Sequence, residues 1–260
     1  MRFDVITLFP ELFAPFLTSG VTRRAYEAGL VDVRLWNPRD FADGKYRRVD
    51  DRPFGGGPGM VMLAEPLTLC LERIRDDRAA CAAPDAPTVL FSPIGEVLNH
   101  AGVERWSAGS SGAVLICGRY EGLDQRFIDA HVDHQVSLGD FVLSGGEIAA
   151  MALLDAVARL QPGVLNDEGS HQLDSFNPAL DGLLDCPHYT RPEAWRGQPV
   201  PPILLSGNHA HIERWRREQR LALTQRHRPE LIRAARRAGH LSGRDEDFLD
   251  DLPRNPEADR

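Results

Sequence analysis

The chain has 260 residues, 42% hydrophobic and 26% charged, with a formal net charge of −8. That is enough for one large domain or two modest ones, and the acidic balance argues mildly against nucleic acid as a partner. No apolar run approaches the ~20 residues that span a bilayer, Met1–Val5 lacks a signal-peptide pattern, and four cysteines without paired spacing fit a reducing, cytoplasmic location.

Arg2–Phe9 reads as a buried first strand closed by Pro10. Glu11–Leu17 and Val21–Ala28 read as short helices, and Val31–Trp36 alternates as a strand does. Residues 37–62 form a long irregular segment carrying Gly55-Gly56-Gly57-Pro58-Gly59; loops of that length are usually functional or disordered. Next come a helix at Leu67–Arg78, a strand at Thr88–Phe91, a helix at Leu98–Ser107, a strand at Ala113–Cys117 and a helix at Leu123–Ala130. A strand at His134–Leu138 precedes a helix from Gly146 to Leu160. Such alternation predicts an α/β domain with a mainly parallel sheet.

Three of these strands run into glycine-bearing turns: Ser92–Gly95, Gly118–Gly122 and Leu138–Gly146. In open α/β sheets ligands sit at the carboxyl ends of strands, so the three turns are expected to converge on one small-molecule cradle. Ser144 followed by Glu147 has the spacing of a capping box for the next helix.

Beyond a polar linker near residues 161–169, His209–Ala238 reads as helical, divided near Arg228-Pro229. Residues 209–237 hold nine arginines, a local basic face able to bind phosphates in an otherwise acidic protein; a solvated helix laced with ion pairs would show the same charges. The stretch 241–260 has seven acids against three arginines and is expected to fray. A P-loop, a Gly-x-Gly-x-x-Gly dinucleotide fingerprint and a Gly-x-Ser-x-Gly elbow are all absent from the sequence, as is metal-ligand spacing among the histidines.

The segments Val49–Met60, Gly118–Gly122, Gly139–Glu147, Leu183–Pro192 and Leu205–His209 together resemble TrmD, the family of bacterial tRNA (guanine-N1)-methyltransferases, over roughly residues 1–230. The resemblance implies a SPOUT-type fold: an α/β domain with a parallel sheet and a deep trefoil knot over 1–161, a linker over 162–178 and a small helical tRNA-binding domain over 179–240, with 241–260 as an acidic tail. It implies a homodimer with its active site at the subunit interface, S-adenosylmethionine as methyl donor, magnesium as a further requirement, and tRNA as substrate at the guanosine just 3′ of the anticodon, position 37.

Carried onto this sequence, the resemblance puts Ser92, Pro93, Gly118, Tyr120, Glu121, Ser137, Leu138, Gly139, Phe141, Leu143, Gly145 and Gly146 around the donor. Asp174 matches the catalytic aspartate, as general base for the N1 proton, and Arg159 the arginine that stabilises charge on O6. Glu121 is a candidate magnesium ligand, though sequence does not assign the metal site. Ser206, Asn208, His209, Arg214, Trp215 and Arg217 are expected to grip the anticodon arm, arginine through phosphate and tryptophan by stacking. A SPOUT enzyme acting on another RNA, or a non-catalytic RNA-binding protein of the same fold, are the alternatives.

Overall fold

The computed structural model describes residues 1–109, 111–166 and 171–253. The chain divides into two compact units, Met1–Asn166 and Asp167–Arg260.

The first unit is built on β1 (Arg2–Ile6), α1 (Phe13–Thr18), α2 (Arg23–Glu27), β2 (Asp32–Trp36), the short β3 (Asp50–Asp51) and β4 (Val61–Met62), and α3 (Ala64–Ala80). It continues with β5 (Thr88–Val97), α4 (His100–Ala108), β6 (Ala113–Ile116), α5 (Gln125–His131), β7 (His134–Ser137) and α6 (Glu147–Arg159). Five strands form one parallel sheet in the order β2-β1-β6-β5-β7. Both faces are covered, as all-parallel sheets require. Phe3, Val5, Ala113 and Leu115 pack with Phe13, Ala25, Val103, Leu153, Leu154 and Val157 of α1, α2, α4 and α6. The alternate residues Ile6, Val114 and Ile116 pack on the other face against Leu67, Leu71 and Ile74 of α3 and Phe127 of α5. The period-2 alternation of a strand thus splits one apolar run between two cores.

Charge is buried inside this frame. Asp4, fully buried in β1, accepts from Arg2 at 2.6 Å, Arg78 at 2.6 Å and the Trp36 indole at 2.9 Å. Arg78 continues to the Ser111 carbonyl at 2.5 Å. The carboxylate is thereby matched by two guanidiniums, the condition under which buried charge is tolerated.

One boundary differs in kind from the sequence expectation. β5 does not end at Phe91; it resumes, and Phe91 and Glu96 both lie opposite Val136 of β7. Ser92–Gly95 is therefore a loop bulged out of a strand rather than a turn that closes one. Gly95 lies so close to β7 that a Cβ would sit 2.4 Å from the Gln135 carbonyl carbon.

Among its described residues the second unit holds a small hairpin, β8 (Ala194–Trp195) with β9 (Gln198–Pro199), and three α-helices: α7 (His209–His227), α8 (Pro229–Arg237) and α9 (Gly243–Asp251). α7 and α8 are divided at Arg228-Pro229, where the sequence places the break. The acidic stretch after Leu241 does not fray as expected: residues 243–251 are helical. Leu249 is buried with Leu183, Leu221, Ile232 and Ala235, and Leu241, Phe248 and Leu252 pack on the same cluster. Ser242 and Asp245 form a capping box that starts this helix. Residues 254–260 of the expected tail, and 167–170 of the expected linker, lie outside the described residues.

Candidate active site

The site is assembled at the bulge within β5 and at the carboxyl ends of β6 and β7. The bulge of β5, the turn after β6 and the turn between β7 and α6 line one open cavity of about 410 Å³. Ser92 and Pro93 come from the first, Gly118, Tyr120 and Glu121 from the second, and Ser137, Leu138, Phe141, Leu143, Gly145 and Gly146 from the third. Gly139 is not on the wall; its N–H and carbonyl are both held by the Ser137 hydroxyl at 3.1 Å. Its φ of +148° is a conformation that side chains rarely adopt.

The turns meet closely because glycine lets them. The Gly146 N–H donates to the Gly118 carbonyl at 3.0 Å, and a Cβ on Gly146 would sit 2.7 Å from the Cys117 Cα. Arg119 and Gly145 form an antiparallel bridge. The long loop is tied in as well: Glu121 N–H donates to the Met60 carbonyl, and a Cβ on Gly59 would fall 2.2 Å from a Glu121 carboxylate oxygen.

Behind these turns lies an ion pair that sequence reasoning missed. The expected capping box at Ser144 does not form: Gly146 is the N-cap of α6 and makes no side-chain cap bond. Glu147 turns inward, 1% exposed, and accepts from Thr7 Oγ1 at 2.9 Å and Arg119 Nε at 3.2 Å. Arg119 Nη2 lies 2.9 Å from the second carboxylate oxygen, Nη1 donates to the Ser144 carbonyl at 3.1 Å, and the guanidinium stacks on Phe9 at 4.4 Å. Burial pushes the neighbouring Cys117 thiol well above its ordinary range; Glu147 adds to that shift and Arg119 opposes it. A buried glutamate at a helix N-terminus has no local signature separating it from a capping one. The signal was the arginine between two glycines.

The cavity suits a ligand with a flat apolar part and polar edges. Phe141 and Leu143 supply partly exposed apolar surface, while the glycine turns bring backbone groups close. Glu121 is the sequence's candidate for a magnesium ligand. The three donors that converge among the described residues, Asp185, Cys186 and His188, do not include it, and their Asp185 is already engaged by His188 at 2.8 Å and Arg220 at 3.3 Å.

The remaining expected residues fall elsewhere. Arg159 ends α6, half-buried. Asp174, also half-buried, follows a 3-10 turn at His171–Leu173 and belongs to the second unit. Ser206, Asn208 and His209 are exposed at the start of α7, where Asn208 accepts from the His211 N–H as N-cap. Trp215 lies half-buried, its ring 6.2 Å from Tyr189. Arg214 and Arg217 are not free cations: Arg214 pairs with Glu218 at 2.8 Å and Asp245 at 3.1 Å, and Arg217 with Asp181 at 2.7 Å and Asp245 at 3.3 Å.

A parallel α/β sheet with a glycine-lined cavity beside its strand ends is the arrangement in which open α/β proteins hold their ligands. Residues 1–234 match the family model described as tRNA (Guanine-1)-methyltransferase TrmD, and the chain belongs to that family. It is 84% identical over 259 residues to a tRNA (guanine-N(1)-)-methyltransferase of Polaromonas sp. (strain JS666 / ATCC BAA-500), covering 100% of each chain. It is 76% identical to a protein of the same description from Paracidovorax citrulli, over 96% of this chain and 97% of that one. A third, from Bordetella pertussis, is 58% identical over 97% and 98% of the two chains.

Proposed function

We propose that this chain methylates N1 of the guanosine just 3′ of the tRNA anticodon, position 37, with S-adenosylmethionine as donor. The observation that carries the reading is the cavity formed by the β5 bulge and the turns after β6 and β7 in a chain of this family. The donor supplies an electrophilic methyl group on a sulfonium. Backbone groups of Leu138, Phe141 and Leu143 are suited to an adenine edge, which needs hydrogen bonds rather than charge. Displacement at a sulfonium asks little covalent chemistry of the protein, so the turns contribute alignment.

The acceptor requires more. N1 of guanine carries a proton, and Asp174 is the base in this reading. Removing that proton drives negative charge toward O6, where Arg159 supplies a cation. A homodimer, with Asp174 of one protomer serving the cavity of its partner, belongs to the same proposal, as do the trefoil knot and a cytoplasmic setting. Exposed apolar side chains at the cavity support an interface there: Ile94 is 82% exposed and Val142 83%. No described helix is long and apolar enough to cross a membrane. For tRNA, the exposed residues at the start of α7 and Trp215 are better placed than Arg214 and Arg217, whose guanidiniums are occupied.

The test is methyl transfer to two tRNA transcripts differing only in guanosine or adenosine at that position. Label in the guanosine transcript alone supports the reading; equal label in both refutes the target.

A further inference from the structure

We infer that Glu147 and Arg119 are a charge-balanced positioning pair that lets the cavity accept a cationic sulfonium and holds its walls together. This rests on reading the cavity as the S-adenosylmethionine pocket.

Two jobs meet in the pair. The first is mechanical. Arg119 lies on the cavity wall, in the turn after β6, and its side chain reaches the turn before α6 through the Ser144 carbonyl and Glu147. Glu147 carries the link to the end of β1 through Thr7, whose hydroxyl also accepts from the Phe9 N–H at 3.0 Å. Three chain segments distant in sequence are thus closed around one carboxylate. Gly145 is part of this device, because a Cβ there would stand 2.2 Å from Arg119 Nε and 2.5 Å from Glu147 Oε2.

The second job is electrostatic. A bare guanidinium on the wall would repel a sulfonium, and little water is available to screen it: the Arg119 side chain is 19% exposed and that of Glu147 2%. Glu147 cancels the charge while leaving the guanidinium's geometry in place. S-adenosylmethionine and its demethylated product S-adenosylhomocysteine differ by one methyl and one positive charge, so the pair bears on the two ligands unequally. The wild-type pair is neutral; loss of the carboxylate alone penalises the donor more than the product. Glu147 and Arg119 are not catalytic residues in this account, since neither is argued to touch the reacting atoms.

Calorimetric titration of the full-length protein with each of the two ligands tests this. For Glu147→Gln, which keeps the acceptor at the Thr7 hydroxyl and removes the charge, affinity for S-adenosylmethionine should fall at least 5-fold more than that for S-adenosylhomocysteine. The double variant Arg119→Gln/Glu147→Gln, with both charges gone, should restore the wild-type ratio of the two affinities while weakening both ligands. Arg119→Lys, which keeps the charge but loses the fork, should weaken both about equally. If Glu147→Gln does not fold, the double variant and Arg119→Lys carry the test through those two expectations. Equal losses for both ligands in folded Glu147→Gln, or a ratio still displaced in the double variant, would overturn the charge balance. Unchanged binding in folded Arg119→Lys would overturn the clamp. Failure of the wild type to bind either ligand would instead sink the reading of the cavity, and this inference with it.

Discussion

Gly146→Ala is the sharpest perturbation of the cavity. Gly146 has an ordinary helical φ of −77°, so alanine brings no backbone strain and would normally favour a helix. The obstacle is space. The new Cβ would sit 2.7 Å from the Cys117 Cα, 3.2 Å from the Gly118 nitrogen and 3.3 Å from the Cys117 carbonyl carbon, all backbone of a buried strand end. Backbone cannot turn aside as a flexible side chain can. Overpacking of this kind costs about 1–3 kcal/mol. Separating the turns also weakens the 3.0 Å bond from the Gly146 N–H to the Gly118 carbonyl, about 1 kcal/mol more. The expected destabilisation is about 2–4 kcal/mol, read as a lower urea midpoint at unchanged slope, with weaker binding of S-adenosylhomocysteine in the folded fraction. The control is Gly102→Ala in α4, where the nearest atom is a leucine side-chain carbon at 3.4 Å; there alanine should be neutral or stabilising by up to about 1 kcal/mol. An unaltered midpoint and affinity for Gly146→Ala would refute the claim that the two turns are held at contact distance.

Asp4→Asn leaves Arg2 and Arg78 facing each other without their buried carboxylate and should cost about 3–5 kcal/mol by urea titration; a loss under 1 kcal/mol would contradict the network. In the second unit, burial alone would raise the Asp245 carboxyl, but Ser242 and Arg217 outweigh it and hold the group below the ordinary range. A depressed folded pKa stabilises above the unfolded value of about 4 and loses that contribution as pH falls through the folded one. Amide exchange in α9 should therefore accelerate below about pH 4, relative to its intrinsic rate, and Asp245→Asn should flatten that dependence. Thiol labelling should separate the cysteines: exposed Cys81 reacts in the native protein, while Cys117 and Cys70, whose thiols burial pushes up, to about 12 for Cys70, react only on unfolding. Rapid native labelling of Cys117 would place it wrongly.

What the sequence disclosed and what it hid divide along one physical line. Local signals were legible: the apolar runs of β1 and β6, the proline that separates α7 from α8, and the glycines of the turns after β6 and β7, whose convergence follows from parallel topology; the third expected turn, Ser92–Gly95, is a bulge inside β5. Long-range pairing was not. Asp4 in a buried strand gives no hint of Arg78, 74 residues away. Glu147 has the spacing of a cap, and only the fold brings Arg119 and Thr7 to it, so the true capping box lies at Ser242–Asp245 instead. The acidic stretch read as fraying because its charge outweighs its few apolar residues. It is nonetheless a helix, because Leu249 and Phe248 find an apolar partner surface and Asp245 finds two arginines. Those same pairings turn Arg214 and Arg217, which sequence offers as phosphate ligands, into internal cross-links.

The proposed acceptor atom is N1 of one guanine. The direct measurement is to methylate tRNA with isotopically labelled S-adenosylmethionine, digest the product to nucleosides and identify the labelled one by mass spectrometry. Label is expected in N1-methylguanosine alone, lost in Asp174→Ala; label in 7-methylguanosine, a 2′-O-methylated nucleoside or a methylated adenosine would contradict N1 as the acceptor.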